Sequence, residues 1–444
     1  MSGHSKVWID LTDIIEWRGH HTGIQRVVYQ LASRYSQDPE TGYFTFDPRS
    51  KKFREASFTS IEQAMAAEKE RPSQKAAEYQ VNKYKVIAYK VYAKSPLWLK
   101  DRVATPKNKD RLRRVYHRAA NIRQRPKLAK VSAISAREVS FGAGDTVLVL
   151  GKAWDYSPDF MEAMRRKKLR ADFKLVQVVY DLIPIFCPHL FGIPLIEPYT
   201  KHLFEVCASS DGLLAISQST KRDVQKFCKE MELAEPPIAV IHLGDDFIEA
   251  PTAPPDISGV KSGNFILSVG TLEVRKNRQL IHMAYKEGLL RGIDLPQMVI
   301  IGAKGWYNED VLYQFQFDPQ LKDKVHVLHG VNDSELRWLY ENCLFTTFPS
   351  IYEGWGLPVA ESLAYGKFCL TTNVSSMPEI AGDLLEYSSP YDSSQYLDLL
   401  VKYLDPATLK NKEEEIAKKY QPTQWGDTFK QAKDFLETKV SGHR

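Results

Sequence analysis

Two series of short apolar runs alternating with amphipathic stretches, parted by a proline-rich break, constrain this chain most. Strands are expected near 7–11, 146–150, 174–179, 212–216 and 238–241, with helices near 158–169, 195–209 and 219–229. A second series is expected at 265–269, 298–301, 325–328, 344–348 and 368–372. Continuous apolar strands with helices between them imply parallel sheets covered on both faces. Between the series, residues 250–263 hold Pro251, Pro254, Pro255, Gly259 and Gly263, the clearest linker in the chain. The expected class is α/β, with two Rossmann-like domains facing each other across a cleft that holds the ligand. The expected bounds are 1–255 and 256–424, followed by a helix over 425–444 that packs back on the first domain.

The stretch from Pro349 to Gly366 reads as a strand end, a glycine-rich loop and a helix. Pro358 suits the first helical position and Gly366 the position past the end. Glu353 is then expected in the loop and Glu361 in the first helical turn, near the positive end of the helix dipole. Gly354 and Gly356 let backbone approach a ligand closely. The chain opens in a similar way, with an apolar run at 7–11, a loop ending in Gly23, and Ile24, Val27, Val28 and Leu31 on one helical face. Asn332 with Glu335 three residues on marks another helix start.

The αβ rhythm stops between 51 and 140. Residues 51–130 carry 22 lysines and arginines against 7 acidic residues, in a chain whose whole net charge is +5. Tyr79, Tyr84, Tyr89, Tyr92, Trp98 and Tyr116 are interleaved with them. The reading is a basic helical insertion, either a solvated surface or one that docks on an anionic membrane. No nucleic-acid fold signature accompanies the charge, so nucleic acid is not an expected partner. No apolar run reaches the ~18 residues of a membrane span. The start lacks the apolar core of a signal peptide. Cys187, Cys207, Cys228, Cys343 and Cys369 have no metal-ligand spacing, which suits reduced thiols in a cytosolic protein.

Beyond the strand expected at 265–269, Gly270-Thr271-Leu272-Glu273-Val274-Arg275-Lys276-Asn277 puts two adjacent cations at the binding edge of the second sheet. Arginine bonds phosphate oxygens bidentately and lysine adds a compact charge, so the pair could neutralise a leaving diphosphate without a metal.

With these stretches in view, the chain resembles the retaining, nucleotide-sugar-dependent glycosyltransferases of the GT-B fold, family four (glycosyl transferases group 1), of the kind that builds bacterial surface polysaccharides. The resemblance rests on 270–277, on Gly330-Val331-Asn332-Asp333-Ser334-Glu335-Leu336, on 349–366 with its two glutamates separated by seven residues, and on Met377-Pro378-Glu379-Ile380-Ala381-Gly382. Looser matches are Thr22-Gly23-Ile24-Gln25-Arg26, Tyr180-Asp181-Leu182-Ile183-Pro184 and the stretch from Ser217 to Asp223.

The resemblance implies an acceptor-side first domain and a nucleotide-sugar-binding second domain. It implies that Glu353 bonds the donor sugar near the reacting carbon and Glu361 the ribose hydroxyls. Arg275 and Lys276 would hold the diphosphate, with backbone N–H groups at Gly354, Trp355 and Gly356 adding donors. Gly23 would approach the diphosphate from the opposite wall, and Thr271, Val331 and Leu357 complete the nucleotide site. The chain departs from the family pattern at Thr271, where many members have arginine. It departs again at Tyr180-Asp181, where many have a histidine; either Tyr180 or Asp181 could take that contact. His20 and His21 in the glycine loop are expected as a solvated pair, with lining the cleft as the alternative.

The expected reaction is transfer of a hexose or deoxyhexose, mannose-like in preference, to a lipid-linked or growing glycan of O-antigen or capsule, with no metal. A GDP-linked donor is favoured over UDP or dTDP. Other polysaccharide-assembly proteins are expected partners, and the expected location is the cytoplasmic face of the inner membrane. The alternatives are a sugar-nucleotide epimerase or phosphorylase of the same fold, or a non-catalytic glycan-binding scaffold.

Overall fold

The computed structural model describes residues 5–16, 23–69, 133–245, 251–255 and 260–440. It divides into a larger unit, Met1–Glu55 with Arg137–Arg444, and a smaller one, Ala56–Ala136. Two sheets organise the fold. The first comprises β1 (Val7–Asp10), β2 (Thr41–Asp47), β3 (Lys52–Ala56), β4 (Ile134–Glu138), β5 (Thr146–Val149), β6 (Lys174–Val179), β7 (Gly212–Ala215) and β8 (Ile238–Val240). Their order is β4-β3-β2-β1-β5-β6-β7-β8. The pairs from β2 through β8 are parallel, whereas β2 and β3 form an antiparallel pair.

The second sheet holds β9 (Phe265–Val269), β10 (Gln297–Ile301), β11 (Val325–Leu328), β12 (Thr346–Phe348), β13 (Cys369–Thr372) and β14 (Tyr387–Ser388). It is parallel throughout, in the order β11-β10-β9-β12-β13-β14. Its central strands are sealed on both faces: Phe265, Ile266, Leu267, Val299 and Ile300 are fully buried. The chain leaves β9 toward β10 on one side and returns to β12 on the other. A crevice opens at such a reversal, beyond the carboxyl ends of the two strands. The first sheet reverses in the same way between β1 and β5.

Local chemistry explains the elements that face this crevice. The helix Ile24–Tyr35 buries Val27, Val28 and Leu31, and Gly23 precedes it with a φ of 53°, a conformation that favours glycine. Asn332 and Glu335 form a reciprocal capping box on the helix Asp333–Asn342. The last helix, Trp425–Phe435, runs on as a wider turn over Leu436–Val440 and lies against the first sheet. A Cβ on Gly244 would fall 2.6 Å from the Trp425 ring, and one on Gly212 would fall 2.8 Å from Phe435. The Thr428 hydroxyl donates to the His242 carbonyl at 2.6 Å. Truncating an indole packed like that of Trp425 costs about 3–5 kcal/mol.

The expected reading of 51–140 as a mostly helical insertion is corrected at both ends, because β3 and β4 are strands. In β3 the side chains alternate, with Phe53 buried and Lys52 exposed, so the basic residues belong to one face of a strand near the sheet edge. The helix Phe58–Lys69 follows in the smaller unit. The rest of the basic, aromatic stretch, 70–132, lies outside the described residues, as do His20 and His21 in 17–22 and the chain end 441–444. Also unanticipated are β14 and the helices Ser393–Lys402 and Pro406–Lys419.

Candidate active site

The loops after β9 and β12 meet at the crevice and bring opposite charges together. Lys276 Nζ lies 2.5 Å from Glu353 Oε1, and Arg275 Nη1 donates to Glu353 Oε2. Arg275 Nη2 also pairs with Glu273 at 2.6 Å. The Ser350 hydroxyl donates to Glu353 Oε1 at 2.7 Å, and the Glu353 N–H donates to Ser375 Oγ at 3.0 Å. The Lys276 ammonium lies 4.7 Å from the Phe348 ring centroid. Burial disfavours the Glu353 charge, but Arg275 and Lys276 outweigh it and hold the carboxyl below its usual range. Burial, then the neighbouring Arg275, pushes the Lys276 ammonium down to about 8. Burial also acts against the Arg275 charge, yet Glu353, Glu273 and Asp181 hold that guanidinium above its usual value.

Glu361 sits apart from this cluster. The helix spans Leu357–Ala364 with Gly356 as its cap, so Glu361 falls in the second turn, one turn later than expected. Pro358 takes the second helical position, and the dipole argument for Glu361 is replaced by specific partners. Arg26 Nη1 donates to Glu361 Oε1 at 2.9 Å, and the Tyr340 hydroxyl donates to Oε2 at 3.0 Å. Burial pushes the Glu361 carboxyl up, with Arg26 and Tyr340 pulling the other way.

The first half supplies the opposite wall. A Cβ on Gly354 would collide with the Tyr180 carbonyl oxygen and stand 3.0 Å from Asp181 Cβ, so only glycine allows this approach. Tyr180 turns its hydroxyl inward to the Leu150 carbonyl at 2.5 Å, leaving Asp181 as the polar side chain of that strand end facing the cluster. Asp181 accepts from the Ile183 N–H at 3.0 Å. Burial raises its carboxyl above the usual range, against the pull of Arg275. Farther along, Glu379 accepts from the N–H groups of Gln218 and Ser219 at 2.6 and 2.7 Å, and the Tyr352 hydroxyl donates to Asp223 at 2.7 Å.

Thus Glu353, Lys276, Arg275, Asp181 and Gly354 converge, while Glu361 lies with Arg26 and Tyr340. Trp355 is 7% exposed, with its ring 5.8 Å from that of His242, and its indole N–H has no partner among the described residues. Gly356 packs against Met377, where a Cβ would fall 2.5 Å from Cε. Thr271 is exposed, Val331 and Leu357 are half-buried, and around Gly23 there is open space for a Cβ. Sequence reasoning missed Arg26, Tyr340, Ser350 and Glu273 as partners. The local motifs contained Arg26, Ser350 and Glu273 but not what they bond. Chemically, two cations and a buried carboxylate at a sheet crevice can bind an anion and orient hydroxyls beside it.

Residues 254–420 match the family model described as glycosyl transferases group 1. The chain is 25% identical over 225 residues to O-antigen chain mannosyltransferase B of Escherichia coli, covering 49% of this chain and 58% of that protein. It is 24% identical over 287 residues to the serotype-specific mannosyltransferase WbdA of Escherichia coli, covering 62% of this chain but only 34% of the relative. The chain therefore spans little more than half, or less, of these relatives. In fold it is similar to sucrose-phosphate synthase of Thermosynechococcus elongatus, with a TM-score of 0.58 at 12% identity over 98% of both chains. It is also similar to Anabaena Alr3699/HepE, solved with UDP-glucose, with a TM-score of 0.57 at 13% identity over 98% of this chain and 100% of that one. The two-domain GT-B architecture is shared with these structures.

Proposed function

For a chain that carries a glycosyl transferases group 1 domain over residues 254–420, we propose retaining transfer of a mannose-like sugar from a nucleotide diphosphate to a glycan hydroxyl. The observation that carries this reading is the Glu353 carboxylate gripped by Lys276 and Arg275 across the crevice between β9 and β12. Arg275 and Lys276 take the diphosphate and stabilise its growing charge as the bond from sugar C1 to phosphate oxygen breaks. Glu353 bonds the sugar and favours the oxocarbenium-like state. The acceptor oxygen bonds to C1 on the face the phosphate leaves, and its proton passes to a departing phosphate oxygen. Catalysis is then mostly leaving-group electrostatics and orientation, with no metal.

The similarity to O-antigen mannosyltransferases supports a mannose donor and a surface-polysaccharide acceptor, O-antigen in preference to capsule; the donor nucleotide in this reading is GDP. The basic surplus in 51–130 supports a peripheral place on the anionic cytoplasmic face of the inner membrane, beside other assembly proteins. Among the described residues no helix is long and apolar enough to cross a membrane. Asp181 is assigned a donor-sugar contact in place of the histidine that many family members have.

A thermal-shift and turnover panel of GDP-, UDP- and dTDP-sugars tests this reading. Stabilisation by one nucleotide class, with that nucleotide released only when a glycan acceptor is present, supports it. Turnover to an epimerised sugar nucleotide, or no response to any donor, overturns it. Sedimentation with anionic vesicles, before and after neutralising the 107–130 cations, tests the membrane contact.

A further inference from the structure

Arg26 and Glu361 stand 335 positions apart and come from opposite halves of the larger unit, yet their side chains form one ion pair. Those side chains are only 19% and 12% exposed. Tyr340 bonds the second oxygen of the same carboxylate, and its own ring stacks on Tyr365 at 5.0 Å. Among the described residues, each oxygen thus accepts one donor. A carboxylate offers about four acceptor directions, so about one remains on each oxygen. Two adjacent acceptors are what a vicinal diol matches.

The Arg26 arm is itself fixed. Gln25 beside it reaches both oxygens of the buried Asp13 at 3.3 Å, and the Arg26 guanidinium lies 5.8 Å from the Trp425 ring centroid. Arg26 also sits in the first turn of the helix that Gly23 opens. An arginine held in this way limits the orientations open to Glu361, which reduces the ordering cost when a ligand binds.

We propose that Arg26 is a positioning residue for the donor's ribose: by bonding Glu361 from the opposite half, it aims that carboxylate at the diol. The nucleotide site is then complete only when the two halves meet. This rests on Glu361 being the ribose contact.

Calorimetric titration of the full chain with GDP and 2′-deoxy-GDP, and with UDP and 2′-deoxy-UDP in parallel, separates the two claims. The wild type is expected to prefer the ribonucleotide at least tenfold. Glu361→Gln should lose that preference. Arg26→Met should lose most of it, and Arg26→Lys should recover part. If Glu361→Gln loses the preference while Arg26→Met keeps it, or if Arg26→Met weakens both nucleotides equally, Arg26 has no positioning role. If Glu361→Gln keeps the preference, the ribose assignment itself fails and the proposal with it. Should Arg26→Met melt too early to assay, Arg26→Lys decides: a preference equal to that of the wild type contradicts the proposal, and a reduced one supports it.

Discussion

Lys276 Nζ stands 2.5 Å from Glu353 Oε1, joining the loop after β9 to the loop after β12. Both groups are more than nine-tenths buried; removing the Glu353 carboxylate takes this partner from both Lys276 and Arg275, whereas removing the Lys276 ammonium leaves Glu353 with Arg275. In the proposed reaction, an incoming diphosphate would meet an ammonium already held by one carboxylate.

Replacing Glu353 by Gln should separate binding from chemistry. Transfer is expected to fall about 10²–10³-fold, the usual loss when one electrostatic stabiliser is removed. Nucleoside diphosphate affinity should hold or tighten, because Arg275 and Lys276 lose a competing carboxylate. Steady-state nucleotide release and titration calorimetry measure the two. Near-normal turnover would sink the assignment of Glu353.

Donor affinity should depend on pH through Lys276. Its folded value of about 8 lies below the ordinary 10.5. Between those values the unfolded chain holds a proton that the folded one lacks, so this group makes folding more favourable as pH rises. Donor binding has the opposite sign, since it needs the cation. Nucleotide-sugar affinity is expected to drop about tenfold from pH 7 to pH 9, and Lys276→Arg should flatten the profile. An unchanged affinity over that range contradicts the role.

Much of the site could be read in the sequence because its charged groups lie in short consecutive motifs beside strong strand signals. Glu353, Arg275 and Lys276 needed only the placement of β9 and β12. The partners were hidden by distance along the chain: Arg26 finds Glu361 335 positions away, and Glu379 finds Gln218 161 positions away. The turn assigned to Glu361 shifted because Leu357, not Pro358, starts the helix. The strand β3 was lost in the basic composition, since Lys52 and Arg54 flank the one deeply buried residue, Phe53.

Glu379 bonds the first two N–H groups of the helix Gln218–Glu230, which no backbone carbonyl within that helix can satisfy. Glu379→Ala is expected to cost about 0.5–2 kcal/mol, as for a lost cap, and to loosen the contact between Glu379 and the helix Gln218–Glu230. Small-angle scattering should give a larger radius of gyration for the free variant and recovery with bound nucleotide. An unchanged radius, with an unchanged donor KM, goes against a role for this contact in holding the two halves together.

Gly354→Ala should cut turnover at least tenfold in a folded protein. The added methyl meets the Tyr180 carbonyl and forces the two walls apart, and overpacking of this kind costs about 1–3 kcal/mol. A wild-type rate in the variant would show that this close approach is not needed for transfer.

The most direct test is the stereochemistry of the product. Wild-type protein with GDP-mannose and a mannose-terminated oligosaccharide acceptor is followed by the one-bond C1–H1 coupling in NMR. One new α-linked sugar per GDP released, with both lost in Glu353→Gln, is the expected result. A β-linked product, or an α-linked product formed equally fast without the Glu353 carboxylate, would contradict it.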